Sequence, residues 1–582
     1  MENSSFINYY KRNNKALFEG FGEKIGIFDM QNYIPIYRRF FNLTAGNFNN
    51  INLNHKHHIK SIISKTKKNT YECELVDMSN NSVGKSQVFF KFSPLIDPVK
   101  YMEGKFSLEL SNLKALPDSL EYDTNPKIND TNNAAYTDGF FSFLSSKLLI
   151  EHNIHHCINF YGAFIGTQGA FTFDVSDDWE YMYDSTFFCK HKDELFYVDE
   201  EKIKEHYMSD SRSNKPKLAI KDKPCNDIGA VDWNNDIFEN IFIDDQCIES
   251  KKSGKDNMTE VNVIETAKDD IKLISDNNSG SGKASTSSSY SSRMSNTDSD
   301  YNSDSSCSED DDSDEDSDDD MSGSCSESDD EDNIDGTIID FPVEVIAQEV
   351  CKDTLDHLMK VEEISIPMWR SILMQIIMNL LIYQKAFNFT HNDLHTNNVM
   401  YTETEKEYLY YKIDNKYYKV PTFGKLFKII DFGRAIYKYK GLTICSDSYH
   451  PTGDAATQYN CEPYFNDKKP RLDPHYGFDL CGLACALYDD LVDDDDDADF
   501  NPLSDIIKEW CTDDNGKNIL YKTNGVERYP DFKLYKMIAR TVHNPTPKNQ
   551  LKKDFFALYE IAHKKINKKA KIMNIDTLPS FI

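Results

Sequence analysis

The spacing of apolar residues divides the chain into stretches of different kind. Residues 1–55 are rich in Asn and aromatic side chains without a clear period, and read as an extension leaning on the strand-rich part beyond it. From Ile59 the pattern is strand-like. Residues 58–63, 70–76 and 87–92 are short β-rich runs, separated by polar turns at 65–69 and 80–85. Over 137–152 it turns helical, with Phe141, Leu144 and Leu148 at helical spacing and Asn153 ending the run. From Thr354 helical spacing dominates. Pro367 suits a first helical turn, where its missing N–H costs nothing, and 369–387 continues as an apolar helix. Residues 408–413 and 416–420 flank Asp414-Asn415 and predict a hairpin. The pattern is α+β, strand-rich first and mainly helical later.

Composition changes this picture in one region. Residues 251–337 run through Gly-Ser repeats into Ser-Asp-Glu blocks, with too few apolar side chains to offset chain entropy, which predicts disorder. Residues 171–250 are mixed aromatic and charged, a composition compatible with partial order. The formal charge of -32 over 582 residues is concentrated at 300–335, so the imbalance belongs largely to this tract. It argues against nonspecific nucleic-acid binding and for a basic protein partner. Serines at 303–308 precede acids, a pattern resembling substrates of acid-directed kinases; a solvated acidic spacer explains the same composition. The run Asp493 to Asp497 lacks the Gly and the spaced ligands of a calcium loop and reads as solvated.

Thirteen Cys without a C-x-x-C pair argue for a reducing compartment and against a disulfide framework or zinc site. Cys481 and Cys485, four apart on a predicted helix, read as small buried hydrophobes. Residues 1–5 carry no signal-peptide pattern. The most apolar run, 372–382, is interrupted by Gln375 and Asn379 and is too short for a bilayer, so it reads as a buried helix. The expectation is a soluble, cytoplasmic protein with no membrane segment.

The chemistry lies in two ordered motifs. His391-Asn392-Asp393 through Asn398 reads H-x-D-x-x-x-x-N, and Asp431-Phe432-Gly433 reads D-F-G; each follows an apolar run. Phosphoryl transfer asks a protein for positioning and charge neutralisation. Asp393 suits the carboxylate that orients an attacking hydroxyl. Asn398 can reach a metal ion from the same loop, and Asp431 can hold the Mg²⁺ that bridges the phosphates.

At these residues the sequence resembles the eukaryotic-type protein kinases. The wording His-Asn-Asp-Leu-His looks most like the divergent serine/threonine protein kinases of giant (nucleocytoplasmic large) DNA viruses. The resemblance implies a bilobal fold. A small lobe occupies 56–170 and resumes, after an insert at 171–337, with a last strand and hinge at 338–349. The large lobe covers 350–570 and a tail 571–582. Residues 157–164 resemble the family's fourth strand and 341–349 its fifth. Lys91 falls where the family's strand lysine steadies the ATP phosphates, and adenine binding by hinge backbone falls at Glu349 and Cys351. The helix Glu that should hold the lysine is missing: its position falls near Ser142. Asp138, one turn earlier, is the nearest acid, and equally an ordinary first-turn acid.

Other departures bear on regulation and acceptor. The turn at 64–69 lacks the family's phosphate-loop glycines. An irregular segment of some forty residues, including Tyr449 to Asp454, fills the activation-segment slot without a clear A-P-E. Asp479 takes the position of an acid that supports the catalytic loop from beneath, and Lys548 stands where an Arg is common. Asn392 replaces the arginine that couples an activation-loop phosphate to the catalytic aspartate, so activation by that route is not expected. His395 replaces a lysine that approaches the γ-phosphate; a similar D-L-H occurs in haspin-like kinases and in small-molecule kinases. The implied function is transfer of the ATP γ-phosphoryl group, with Mg²⁺, to Ser/Thr hydroxyls of a protein substrate. Two alternatives stand: a small-molecule phosphotransferase of the aminoglycoside/choline kinase type, and a pseudokinase scaffold whose acidic insert recruits a basic partner. A viral origin would place the chain in host cytoplasm or a virion.

Overall fold

A computed structural model describes residues 6–44, 46–106, 113–117, 125–176, 178–183, 185–198, 334–492, 501–567 and 569–582. The expected disorder over 251–333 and the reading of the run Asp493 to Asp497 lie outside the described residues, whereas 335–337, expected to be disordered, are the start of a strand. The chain divides into two units, residues 1–206 with 288–582 and residues 207–287, and every described residue belongs to the first.

Helix α1 (Lys15–Ile25) buries Leu17 and Phe21, one turn apart, and stops at Gly26, whose φ of 79° is the left-handed cap glycine adopts without strain. Strand β1 (Ile27–Gln31) comes directly after it. Then come β2 (His57–Lys67), β3 (Thr70–Asp77) and β4 (Val83–Pro94), helix α2 (Ala134–His152), and strands β5 (Phe160–Asp174), β6 (Phe196–Val198) and β7 (Asp335–Glu349). All seven strands form one antiparallel sheet in the order β1-β5-β7-β4-β3-β2, with β6 on the far half of β7. The register sets Lys91 of β4 opposite Ile346 of β7.

Three boundaries differ from the sequence reading. The first 55 residues do not merely lean on the sheet, because β1 pairs with β5 as its edge and Phe21 packs 5.2 Å from Phe90. The β5–β7 ladder runs from Phe160 opposite Gln348 to Asp174 opposite Asp335, so both strands extend into the stretch assigned to the insert. Phe171 stacks on Phe341 at 5.1 Å, which gives the extended ladder its own apolar contact. The turn at 64–69 is a tight one: β2 and β3 are joined by Lys68-Asn69 alone, with Asn69 at φ 55° and Lys65, Lys67 and Lys68 exposed.

The rest of the described chain is richer in helix. In order it contains β8 (Asp353–Thr354), α3 (Ile366–Phe387), β9 (Val399–Glu403), β10 (Tyr408–Ile413), β11 (Lys416–Pro421), β12 (Lys425–Ile429), β13 (Ile436–Tyr439), β14 (Leu442–Cys445), α4 (Phe478–Leu491), α5 (Pro502–Trp510), α6 (Lys533–Thr541), β15 (Glu560–Ile561) and β16 (Ile572–Asn574). The β10–β11 hairpin turns at Asp414-Asn415, both at positive φ (49° and 61°), the geometry of a two-residue turn matched to strand twist. Residues 436–445, expected to be irregular, form the β13–β14 hairpin instead, turning at Lys440-Gly441. The C-terminal stretch is not a free tail: β16 pairs in parallel with β10, and Phe581 stacks 5.4 Å from Phe387. Helix α3 is longer than its most apolar run suggested. At 22 residues it is the one helix among the described residues long and apolar enough to cross a membrane, and most of it is buried in the protein.

The two parts meet around Phe141 of α2. Its fully buried ring lies 4.4 Å from Phe389, 4.6 Å from Phe432, 4.8 Å from Tyr437 and 5.0 Å from Tyr383. One helix residue thereby touches α3, the loop after it, the D-F-G turn and β13. Phe141→Ala should cost about 3–5 kcal/mol, read as a lower urea midpoint; a change below about 1 kcal/mol would mean that the aromatic cluster does not join the two parts.

Candidate active site

Helix α3 ends at Phe387, and Asn388 closes it at φ 50°. The loop 390–398 then returns to β9 under three restraints. Thr390 and Ile436 exchange backbone hydrogen bonds at 2.9 and 3.0 Å. Ile430 donates to the Asn398 carbonyl at 3.0 Å. Asp479, in the first turn of α4 and fully buried, accepts from the backbone N–H of His391 (3.0 Å) and of Asn392 (2.8 Å). Burial raises its carboxyl pKa, while those two N–H groups and the nearby His391 favour the charged form. His391 donates from Nε2 to the Ile430 carbonyl at 2.8 Å and accepts at Nδ1 from the Asp393 N–H at 3.3 Å.

Asn392 shows why this position holds no arginine. Its φ is 64°, a left-handed conformation that Asn tolerates better than most residues. Its buried amide donates to the Arg434 carbonyl at 3.1 Å and accepts from the Tyr459 hydroxyl at 2.8 Å. It is an internal strut.

Lys91, on β4, reaches two carboxylates. Its Nζ lies 2.7 Å from Asp138 Oδ2 on α2 and 2.7 Å from Asp431 Oδ1 in the D-F-G turn. Burial by itself would lower the ammonium's pKa; Asp138 and Asp431 outweigh it and raise it. Asp138 is raised as well: burial raises its pKa, Lys91 opposes, and the charge of Asp431 adds to the rise. Asp431 sits well below the usual carboxylate range, because Lys91 overcomes the effect of burial. Asp138 also accepts from the Phe432 N–H at 3.0 Å, and Ser142, at the expected place of the helix Glu, bonds to Asp138 at 3.5 Å. The lysine–helix pair forms, one helical turn earlier than the family pattern.

Asn398 donates both its amide hydrogens, to the Asp393 carbonyl at 2.8 Å and to His395 Nε2 at 3.0 Å. This fixes Oδ1 as the face of the amide left for a ligand. The bond needs His395 unprotonated at Nε2, and burial lowers its pKa accordingly, against the charge of Asp393. His395 thus orients Asn398 rather than standing in for the lysine it replaces. The Asp393 carboxylate lies 3.8 Å from Arg434 Nε, and Arg434 Nη2 lies 2.7 Å from Asp454.

The two residues expected to meet adenine behave differently from one another. The Glu349 N–H donates to the Asn159 carbonyl at 2.9 Å and its carboxylate pairs with the buried Lys428, so that N–H is not free for a base. The backbone of half-buried Cys351 finds no partner among the described residues. Burial, reinforced by Glu349, pushes its thiol up to about 12, which keeps it neutral. The oxygens of Asp431, 41% exposed, and Asn398 suit a hard cation held by one or two protein ligands plus phosphates. No group of three or more His, Cys, Asp or Glu gathers as a metal cage among the described residues.

Sequence reading assigns no role to Arg434, Asp447 or Asp454, although they come soon after the D-F-G motif. The signal was local: Arg434 is the only basic residue between Lys428 and Lys438. It became readable only once the turn at 446–455 had brought Asp454 back to it.

No family model matches the chain. Over 77 residues, 12% of the chain and 6% of the relative, it is 43% identical to a Dictyostelium discoideum protein described as "Probable serine/threonine-protein kinase". Over 83 residues, 14% of the chain and 11% of the relative, it is 32% identical to the serine/threonine-protein kinase haspin of Bos taurus. The mouse (Mus musculus) haspin matches at 32% over 89 residues, 15% of the chain and 12% of the relative. The chain thus spans 12% or less of the length of these curated relatives, and the similarity to serine/threonine kinases is short and local.

Asp479→Ala would leave two buried N–H groups unpaired at the base of the loop. It should lower unfolding stability by about 1–3 kcal/mol for each, measured by urea denaturation; an unchanged midpoint would show that the loop does not rest on this carboxylate.

Proposed function

We propose that the chain is an ATP- and Mg²⁺-dependent serine/threonine protein kinase of bilobal fold. The observation that carries this reading is the meeting of Lys91, Asp138 and Asp431 around one ammonium, beside a loop that presents Asp393 and Asn398. The short similarity to serine/threonine kinases supports the reaction class and a protein hydroxyl as acceptor. A basic protein partner for the acidic tract at 300–335 belongs to the same proposal.

In this reading Lys91 offers its ammonium to the α- and β-phosphates while Asp138 keeps it from swinging away. Asp431, through its carboxylate, and Asn398, through Oδ1, would hold Mg²⁺, which when bound would supply positive charge against the phosphates. His395 keeps Asn398 turned toward that position. Asp393 orients the acceptor hydroxyl and takes up its proton as the new O–P bond forms and the bond from the γ-phosphorus to the departing ADP oxygen breaks. Asp479 fixes the loop from below, so that these groups act from a rigid base. The Cys351 backbone is the place for the adenine edge. The absence of glycine from the turn at 64–69 removes close backbone approach to the phosphates, and exposed Lys65, Lys67 and Lys68 supply positive charge on that turn instead.

The test is Mg²⁺-dependent transfer of labelled γ-phosphate to the protein itself and to generic protein substrates. Asp393→Ala should lower transfer by about 10²–10⁴-fold with nucleotide still bound. Asp431→Ala should remove the Mg²⁺-dependent reaction. Wild type that transfers nothing and binds no nucleotide would sink the enzyme reading; binding without transfer to protein would move the acceptor to a small molecule.

A further inference from the structure

The segment after the D-F-G turn is pinned by carboxylates at both its ends. Arg434 stands between two of them, 2.7 Å from Asp454 and 3.8 Å from Asp393, and all three side chains are close to 85% buried (14%, 15% and 14% exposed). The Arg434 carbonyl accepts from the Asn392 amide at 3.1 Å and the Tyr449 hydroxyl at 2.9 Å, so the guanidinium is launched from a fixed backbone. Asp454 is brought there by a tight turn. Ala455 N–H donates to the Ser448 carbonyl at 2.9 Å, and a Cβ at Gly453 would collide with that same oxygen.

Asp447 opens the same turn and grips helix α2. Its Oδ1 accepts from the Ala134 N–H at 3.0 Å, and its Oδ2 takes Lys127 Nζ at 3.0 Å. Its own N–H donates to the Asn132 carbonyl at 2.8 Å. A carboxylate at a helix N-terminus is favoured by the unpaired N–H groups there. Four residues further along α2 is Asp138, the partner of Lys91. Fixed charges and one turn therefore connect Asp393 to Lys91.

We propose that Asp454 and Asp447 are permanent anionic anchors that assemble the centre without phosphorylation of the chain: Asp454, through Arg434, positions Asp393, and Asp447 positions α2 and its Asp138. This rests on the kinase reading for its consequence in catalysis. The arginine absent from position 392 is replaced by Arg434, reached from the other side of the loop, and its anion is encoded in the sequence. A single buried carboxylate suffices, because a charge-assisted hydrogen bond shielded from water is strong where an exposed one is weak. Arg434, Asp447 and Asp454 are positioning residues.

The experiment uses the full chain, treated with a broad phosphatase and checked by mass spectrometry, and reads kcat and KM for ATP separately. Phosphatase-treated wild type should keep its kcat within about twofold, as should Thr452→Val, which removes the exposed hydroxyl of the turn. Asp454→Asn should lower kcat by about 10- to 100-fold with KM for ATP little changed, and Asp454→Glu should restore most of it. Loss of activity on dephosphorylation, or Asp454→Asn with wild-type kcat, overturns the proposal. Amide hydrogen exchange over 390–398 and 446–459 gives a readout independent of turnover. Faster exchange in both stretches of Asp454→Asn, and none on dephosphorylation, supports the anchors even if wild type transfers no phosphate; unchanged exchange in the variant overturns them. A wild type without transfer but with this exchange pattern refutes the kinase reading alone.

Discussion

One ammonium ties the described structure together. Lys91 comes from the central strands of the large sheet, Asp138 from the helix laid against it, and Asp431 from the turn just after β12. Ion pairs of this kind rarely add net stability, because desolvation offsets most of the attraction. Their effect is positional: Lys91 is held between two acids, and a displacement of sheet or helix would leave the buried Asp138 without its cation. The aromatic contacts of Phe141 act on the same three elements from the apolar side. Charge and packing therefore select the same arrangement, and each would be weaker if the other were displaced.

The parts of this arrangement visible in the sequence are those with a short period or a compact motif. The strands around 58–92 and the helix at 366–387 declare themselves through alternation and helical spacing, and the Asp414-Asn415 turn through its residue types. The candidate pair of Lys91 with Asp138 was legible for a different reason: once a helix is placed at 137–152, few acids lie on it. The structure brings these two together and adds Ser142 at the expected place of the acid, now as a hydrogen-bond donor to Asp138.

The hidden features are long-range. The β5–β7 ladder joins residue 174 to residue 335, and no local pattern reports a pairing across such a separation. Strand β1 and strand β16 are short, and gain their place only through partners elsewhere in the chain. Asn392 looked like a loss when set against a family motif, yet its left-handed backbone and three-sided hydrogen bonding show a residue chosen for the loop itself. His395 likewise looked like a missing cation and is an acceptor that turns Asn398. Substitutions in a motif are read as deficits only until their neighbours are known.

Glu344 carries this argument furthest. It lies on β7, two residues along the same sheet face from Ile346, the residue opposite Lys91. It is 1% exposed, and neither carboxyl oxygen has a hydrogen-bond partner among the described residues. Burial pushes its pKa well above the usual range, the charge of Asp138 pushes it further, and Lys91 only partly opposes. Burial and the neighbouring acid thus both disfavour its charged form. Gly139, next to Asp138 in the helix, makes room for it: a Cβ there would collide with Glu344 Oε1. The helix thus presents one acid that reaches Lys91 and one gap that receives a second acid. The distinction rests on reach, because Asp138 touches both Lys91 and the Phe432 N–H while Glu344 touches neither. Which carboxyl serves as the lysine's counter-ion is therefore decided by reach, and the missing glutamate of α2 is no deficit in a site where Asp138 and Asp431 already meet Lys91.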